Sequence, residues 1–130
     1  MTNSLLIGKV IYSRLQNALS DNVNKKIFPL VAENGTTYPY VVYMRTNISV
    51  NKSSKDGYCE DACNYQIIAI SDKYNESIDI ANDIRRVMEK QRIITDDLVL
   101  NDNKLISAIE RYTNDAYIQE LTFACKIEDK

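Results

Sequence analysis

The sequence predicts an α+β fold: an antiparallel sheet of about four to five strands with two helices packed on one face, in the order α-β-β-α-β-β. Three observations lead there. Two stretches carry apolar residues at helical spacing, one running from Ile7 to Leu19 and one from Tyr74 to Met88. Two pairs of strand-like runs follow them, each pair joined by a polar turn. Pro39 stands directly ahead of Tyr40-Val41-Val42-Tyr43-Met44. Proline cannot donate to a sheet ladder, so it belongs at the first residue of a strand, and the aromatic and β-branched run behind it is that strand.

The elements follow in order. Asn3 or Ser4 is placed to cap the first helix. Ile7, Val10, Ile11, Leu15, Ala18 and Leu19 form its stripe, the Arg14 stem lies along the edge, and the helix should end near residues 20–22. Ile27-Phe28-Pro29-Leu30-Val31 is a short extended piece, confined to an edge or irregular position by its proline. Residues 33–37, with Asn34 and Gly35, read as a turn. A strand over 39–50 should point Tyr40, Val42 and Met44 one way, with Ile48 a further candidate there, and Val41, Tyr43 and Arg45 the other. Residues 51–57 make a polar hairpin tip, and a return strand covers about 58–70. On that strand Cys63, Tyr65, Ile67 and Ala69 share one face against Asn64, Gln66, Ile68 and Ile70. Both faces turn apolar towards its end, as in a central strand.

Ser71 or Asp72 opens the second helix, whose seam is expected at Tyr74, Ile78, Ala81, Ile84, Val87 and Met88. Residues 93–100 read as a turn-rich connector with room for a short strand. Two last strands are expected over 105–112 and 117–127, turning at Asn114-Asp115. In the second, Leu121, Phe123, Cys125 and Ile127 alternate with Glu120, Thr122, Ala124 and Lys126.

Composition narrows the function classes. At 130 residues the chain is expected to be one domain spanning 1–130. An apolar fraction of 45% and a charged fraction of 26% are those of an ordered globule. A net charge of −2 with interspersed signs argues against nucleic-acid recognition and against binding to anionic lipid. The absence of histidine removes the commonest general base, metal ligand and pH switch together. The N-terminal residues lack the pattern of a signal peptide, and no apolar run reaches membrane-spanning length. Cys59, Cys63 and Cys125 are expected to be reduced thiols in a cytosolic setting.

Candidate chemistry is sparse, and an enzyme is not expected. Residues four apart on a strand lie about 13 Å apart, too far for Cys59 and Cys63 to ligate one zinc ion, so structural thiols are the expectation. Glu60-Asp61 point to opposite faces of a strand. Asp96, Asp97 and Asp102 look like a solvated turn without the spacing of a calcium loop. Gly8, Gly35 and Gly57 are isolated, which leaves no phosphate-binding loop. Arg85, Arg86, Lys90 and Arg92 cluster at the end of the second helix, where cations complement its dipole. No cofactor is implied. The nine tyrosines stand out, with Tyr38, Tyr40, Tyr43, Tyr58 and Tyr65 concentrated in one hairpin and Tyr112 and Tyr117 flanking the last turn. Tyrosine is favoured at protein interfaces because it buries area while keeping a polar tip.

Taken along the chain, an amphipathic helix over 5–19 leads through Ile27-Phe28-Pro29 to Tyr38-Pro39-Tyr40-Val41-Val42-Tyr43. A variable hairpin follows, then Asn64-Tyr65-Gln66-Ile67-Ile68-Ala69-Ile70-Ser71, the helix with Ile78, Ala81, Ile84, Arg85, Val87 and Met88, and an ending over 116–127. This pattern resembles the tail terminator (tail completion) proteins of long-tailed phages and prophages. The resemblance implies an α+β subunit that closes into a homo-hexameric ring on the head-proximal end of the tail tube. It implies the tail tube protein and the head–tail connector protein as partners, and a place in the virion tail or neck after assembly in the host cytoplasm. It brings no catalytic, cofactor or metal residues. Interface positions are expected at Tyr40, Tyr43, Lys52, Lys55, Tyr58, Arg85 and Arg86. The alternatives are a small protein-binding adaptor using the same tyrosines, or another head–tail neck component.

Overall fold

Alternating residues build the centre of the sheet. The structure, a computed structural model, describes residues 4–19, 23, 25–50, 61–96 and 98–129. A 3-10 turn, Ser4–Leu6, runs into helix α1, Ile7–Ala18. Strands β1, Ile27–Pro29, β2, Tyr40–Ser49, and β3, Asp61–Ser71, follow. Helix α2, Tyr74–Met88, precedes β4, Ile93–Ile94, β5, Leu98–Thr113, and β6, Ala116–Asp129. Among the described residues these strands form one six-stranded sheet in the order β1-β2-β3-β6-β5-β4. The expected class holds, with six strands against the four to five expected, the short β1 and β4 completing the sheet.

Both helices lie on the same face. Beneath them Val41 and Tyr43 of β2, Cys63, Tyr65, Ile67 and Ala69 of β3, and Leu121, Phe123, Cys125 and Ile127 of β6 meet Ile7, Ile11 and Leu15 of α1 and Ile80, Ile84 and Met88 of α2. Tyr65 and Phe123 are register partners, and their rings stack at 5.2 Å and 14°. The Tyr65 hydroxyl donates to Asn103 Oδ1 at 2.7 Å, and the Asn103 amide nitrogen donates to the Gln91 carbonyl at 2.8 Å. These bonds satisfy the polar groups buried there, which would otherwise carry a desolvation cost.

Several expectations are corrected, each for a local physical reason. Ser4 lies in the 3-10 turn and donates to Asp61 Oδ2 at 2.6 Å, so it ties the start of α1 to β3; α1 has no side-chain cap at Leu6. The short piece around Phe28 is the edge strand that its proline predicts; it runs parallel to β2 and stops at Pro29. The long strand begins at Tyr40, one residue after Pro39. Ile48 points to the helix side, opposite Cys63, because a register shift between Arg45 and Asn47 reverses the alternation. The expected return strand starts, as described, at Asp61; residues 58–60 and the tip at 51–57 lie outside the described residues.

The seam of α2 is rotated from the expected one. Ser77, Ile80, Ala81, Ile84 and Met88 are buried, whereas Tyr74 and Ile78 are 42% and 38% exposed. A serine can occupy the packed face because its hydroxyl donates to the Tyr74 carbonyl at 2.7 Å. The strand expected to begin near Leu105 begins at Leu98, with Leu98, Val99 and Leu100 buried. The polar run behind them is strand with irregularities: the register shifts between Asn101 and Lys104, and Asp102 adopts φ 54°. Asn114 and Asp115 both have positive φ, as a two-residue hairpin turn requires.

Ser71 joins β3 to α2. Its buried hydroxyl accepts from the Lys73 N–H at 3.0 Å and donates to Glu76 Oε1 at 2.6 Å. Ser71→Ala is expected to cost about 1–2 kcal/mol, since both partners lose a bond while the fold keeps its shape. Urea unfolding would show a lower midpoint with an unchanged slope.

Candidate functional site

Among the described residues no helix packs on the sheet face away from α1 and α2. Register builds it in rows. Tyr40 lies opposite Ile70, Ile70 opposite Ile118, and Ile118 opposite Arg111. The next row runs Val42, Ile68, Glu120 and Ile109, and the third runs Met44, Gln66, Thr122 and Ser107. The first two rows are therefore largely apolar, with one carboxylate set among them. The Arg111 guanidinium pairs with that Glu120 carboxylate across the strands. Gln66 Nε2 donates to Thr122 Oγ1 at 3.2 Å and closes the third row.

Residues 30–36 arch over one side of this face. Leu30 turns the chain with φ 64° and donates its N–H to the Tyr43 carbonyl at 2.9 Å. Gly35, at φ 82°, makes the second turn, and Thr36 ties back to the Glu33 carbonyl through its hydroxyl at 2.6 Å. Arch and sheet enclose a groove of about 450 Å³, floored by Tyr40, Val42, Met44, Ile68, Ile70 and Ile118 and ended by Arg111 and Glu120. Tyr38 stacks on Tyr40 at 5.8 Å, and Phe28 meets Tyr40 edge-on at 6.5 Å. Burial, and secondarily the neighbouring Tyr38, pushes the Tyr40 hydroxyl above its ordinary range, which keeps it a neutral hydrogen-bonding group.

A second apolar patch lies on the opposite side of the sheet, at the start of α1. Leu5 is 71% exposed there, beside Leu6, Tyr12, Pro29 and the rim of Tyr43 in a shallow depression. Tyr12 packs on Tyr43 at 6.2 Å.

The residues expected at an interface are dispersed. Tyr40 lies in the groove; Tyr43 is turned to the helix side and mostly buried. Arg85 and Arg86 sit exposed on α2, paired within the helix to Glu89 at 2.9 Å and Asp83 at 3.0 Å. Arg85 holds the Glu89 carboxyl below the usual carboxylate range. Lys52, Lys55 and Tyr58 lie outside the described residues. Tyr112 and Tyr117 form an aromatic cluster with Tyr74, at 4.8 and 5.4 Å between rings. The groove floor of Val42, Ile68, Ile70 and Ile118 was not singled out from composition. Its signal in the sequence is the apolar second face of residues 68–70. Among the described residues no group of three or more cysteine or carboxylate side chains is close enough to hold a metal ion. No described helix is long and apolar enough to cross a membrane.

Comparison with known proteins adds the fold's relatives. No family model matches the chain, and no curated protein matches it. A chain of the virion of the native gene transfer agent particle superposes with a TM-score of 0.69 at 14% identity, covering 91% of each chain. The sheath/tube terminator of the extracellular contractile injection system PVC, in its extended state, superposes with a TM-score of 0.59 at 13% identity. The chain shares its fold with that terminator. This chain aligns over 99% of its own length and spans 58% of that terminator. The architecture that the residues resembled is thus the architecture they adopt, and at such identity the likeness is one of fold.

Proposed function

We propose that this protein is a structural, non-enzymatic component of a phage or prophage tail. In this reading its 130 residues form one tail-terminator-like domain, six copies of which close into a ring. The ring caps the head-proximal end of the tail tube, halts its growth and offers a surface to the head–tail connector protein. The observation that carries the proposal is a fold shared, over nearly the whole chain, with a tube terminator and with a gene transfer agent virion chain.

The surfaces support it. A ring built head to tail needs two dissimilar patches on one subunit, each meeting the other on the next copy. The groove and the patch at Leu5 are dissimilar, apolar and on opposite sides of the sheet. We assign the groove to the neighbouring copy's Leu5 patch, and residues 51–57 to a contact with a neighbouring subunit or the lumen. The arch over the groove favours a second reading, a monomeric adaptor that binds one extended partner segment there.

Native mass spectrometry over a concentration series, with and without magnesium, separates the two. A discrete hexamer is the expected result. A monomer at every concentration that also fails to bind assembled tail tubes would overturn the ring and leave the adaptor.

A further inference from the structure

The centre of the sheet holds two thiols that the tail reading does not use. Cys63 on β3 and Cys125 on β6 are direct register partners, and both side chains point to the helix face. They are 1% and 4% exposed, and neither is in a disulfide. Opposed residues of an antiparallel pair have Cα atoms about 4.5–5.5 Å apart, inside the roughly 4.4–6.8 Å span that a disulfide bridges. The Cys63 thiol donates to the Asn64 carbonyl at 3.6 Å, and each thiol lies close enough to the other to influence its titration. We propose that Cys63 and Cys125 are a redox modification site, which hydrogen peroxide closes into a disulfide joining β3 to β6.

The two thiols sit in different surroundings. A hydrogen bond from Cys125 holds the Cys63 thiol below its ordinary range, Arg45 adds to this, and burial and Asp61 oppose it. That hydrogen bond, with burial, pushes the Cys125 thiol up. The register pairing is symmetric, so either sulfur can attack first; where Cys63 attacks, Cys125 resolves. The Cys63 thiolate attacks one peroxide oxygen, the O–O bond breaks, and hydroxide leaves, giving a sulfenic acid. The Cys125 sulfur then attacks the Cys63 sulfur, the S–O bond breaks, and the departing hydroxide takes the Cys125 proton as water. In total the two thiols lose two electrons and two protons, and one peroxide becomes two waters. Peroxide is little larger than water, and it reaches the pair in those openings of β3 and β6 that core strands undergo at free energies up to that of global unfolding.

This chemistry does not depend on the tail reading. If that reading holds, the thiols stay reduced in the cytosol and the bridge closes once the particle meets an oxidising medium.

The test uses the full chain carrying Cys59→Ser, which leaves only the two partners. Treated with hydrogen peroxide under native conditions and quenched by alkylation, it should lose about 2 Da, with both sites refusing the alkylating agent. Digestion should yield a peptide linked from Cys63 to Cys125, and the oxidised form should unfold at higher urea than the reduced one. Adding Cys125→Ser should leave a sulfenic acid on Cys63 that dimedone traps. Oxygen added to either cysteine without a bridge would overturn the proposal. So would thiols still free after a dose that oxidises the same chain unfolded in urea.

Discussion

Phe123→Ala is expected to destabilise the fold by about 3–5 kcal/mol, the cost of emptying a large aromatic site in a closed core. Phe123 is fully buried, stacked on Tyr65 across the β3–β6 pair and flanked by Leu105 across the β5–β6 pair. Those neighbours are held from the other side, Tyr65 by its hydroxyl bond to Asn103, so the site is poorly placed to collapse around the loss. In thermal unfolding the change corresponds to a drop on the order of 10–20 °C. Phe123→Leu, which retains most of the volume, should cost less than half as much. Equal costs would mean that ring stacking rather than filled volume holds the site. A loss under about 1 kcal/mol for the alanine would mean that this part of the core is not closed.

How far the sequence disclosed this arrangement varies with the range of the forces involved. The alternation of Leu121, Phe123, Cys125 and Ile127 states which face of β6 is buried, because a strand's period of two admits one reading. Pro39 marks the start of β2 to within a residue for a similarly local reason. The start of β5 was hidden, since Asn101-Asp102-Asn103-Lys104 has the composition of a turn. Only the fold shows that Asn103 is buried between Tyr65 and the Gln91 carbonyl. The α2 seam misled because Tyr74 and Ile78 are apolar and Ser77 is not, while packing against β3 and β6 chose the face that carries Ser77. The groove was half legible. Ile68 and Ile70 announced a second apolar face, but the arch over it depends on a left-handed Leu30 and a hydrogen bond to Tyr43, which no local pattern encodes. The interface residues chosen by type fared differently, because type does not fix direction: Tyr40 faces the groove and Tyr43 the helices.

The proposed ring makes a second large prediction, in which folding and assembly come apart. Ile68→Lys places a cation on the open face opposite Glu120, where a cross-strand pair forms and the lysine stem still covers Val42. The subunit should remain folded, at a cost of about 1 kcal/mol. The ring should vanish, because in each of its contacts a charge would be taken out of water against an apolar partner surface, at several kcal/mol per ion. Leu5→Asp at the other patch should likewise give a folded monomer. Mixing the two variants then tests whether these two patches meet each other. In a head-to-tail contact each variant retains one sound patch, so the mixture should form a heterodimer and nothing larger, because both outer patches are dead. A two-fold contact would also pair the two variants, through one sound half, but would hold the unaltered protein at a dimer, so a larger closed ring of the unaltered chain is what marks the contact as head to tail. A hexamer persisting in Ile68→Lys would move the subunit contact off the open face. The groove would then be the surface left for a different partner, and the ring itself would stand.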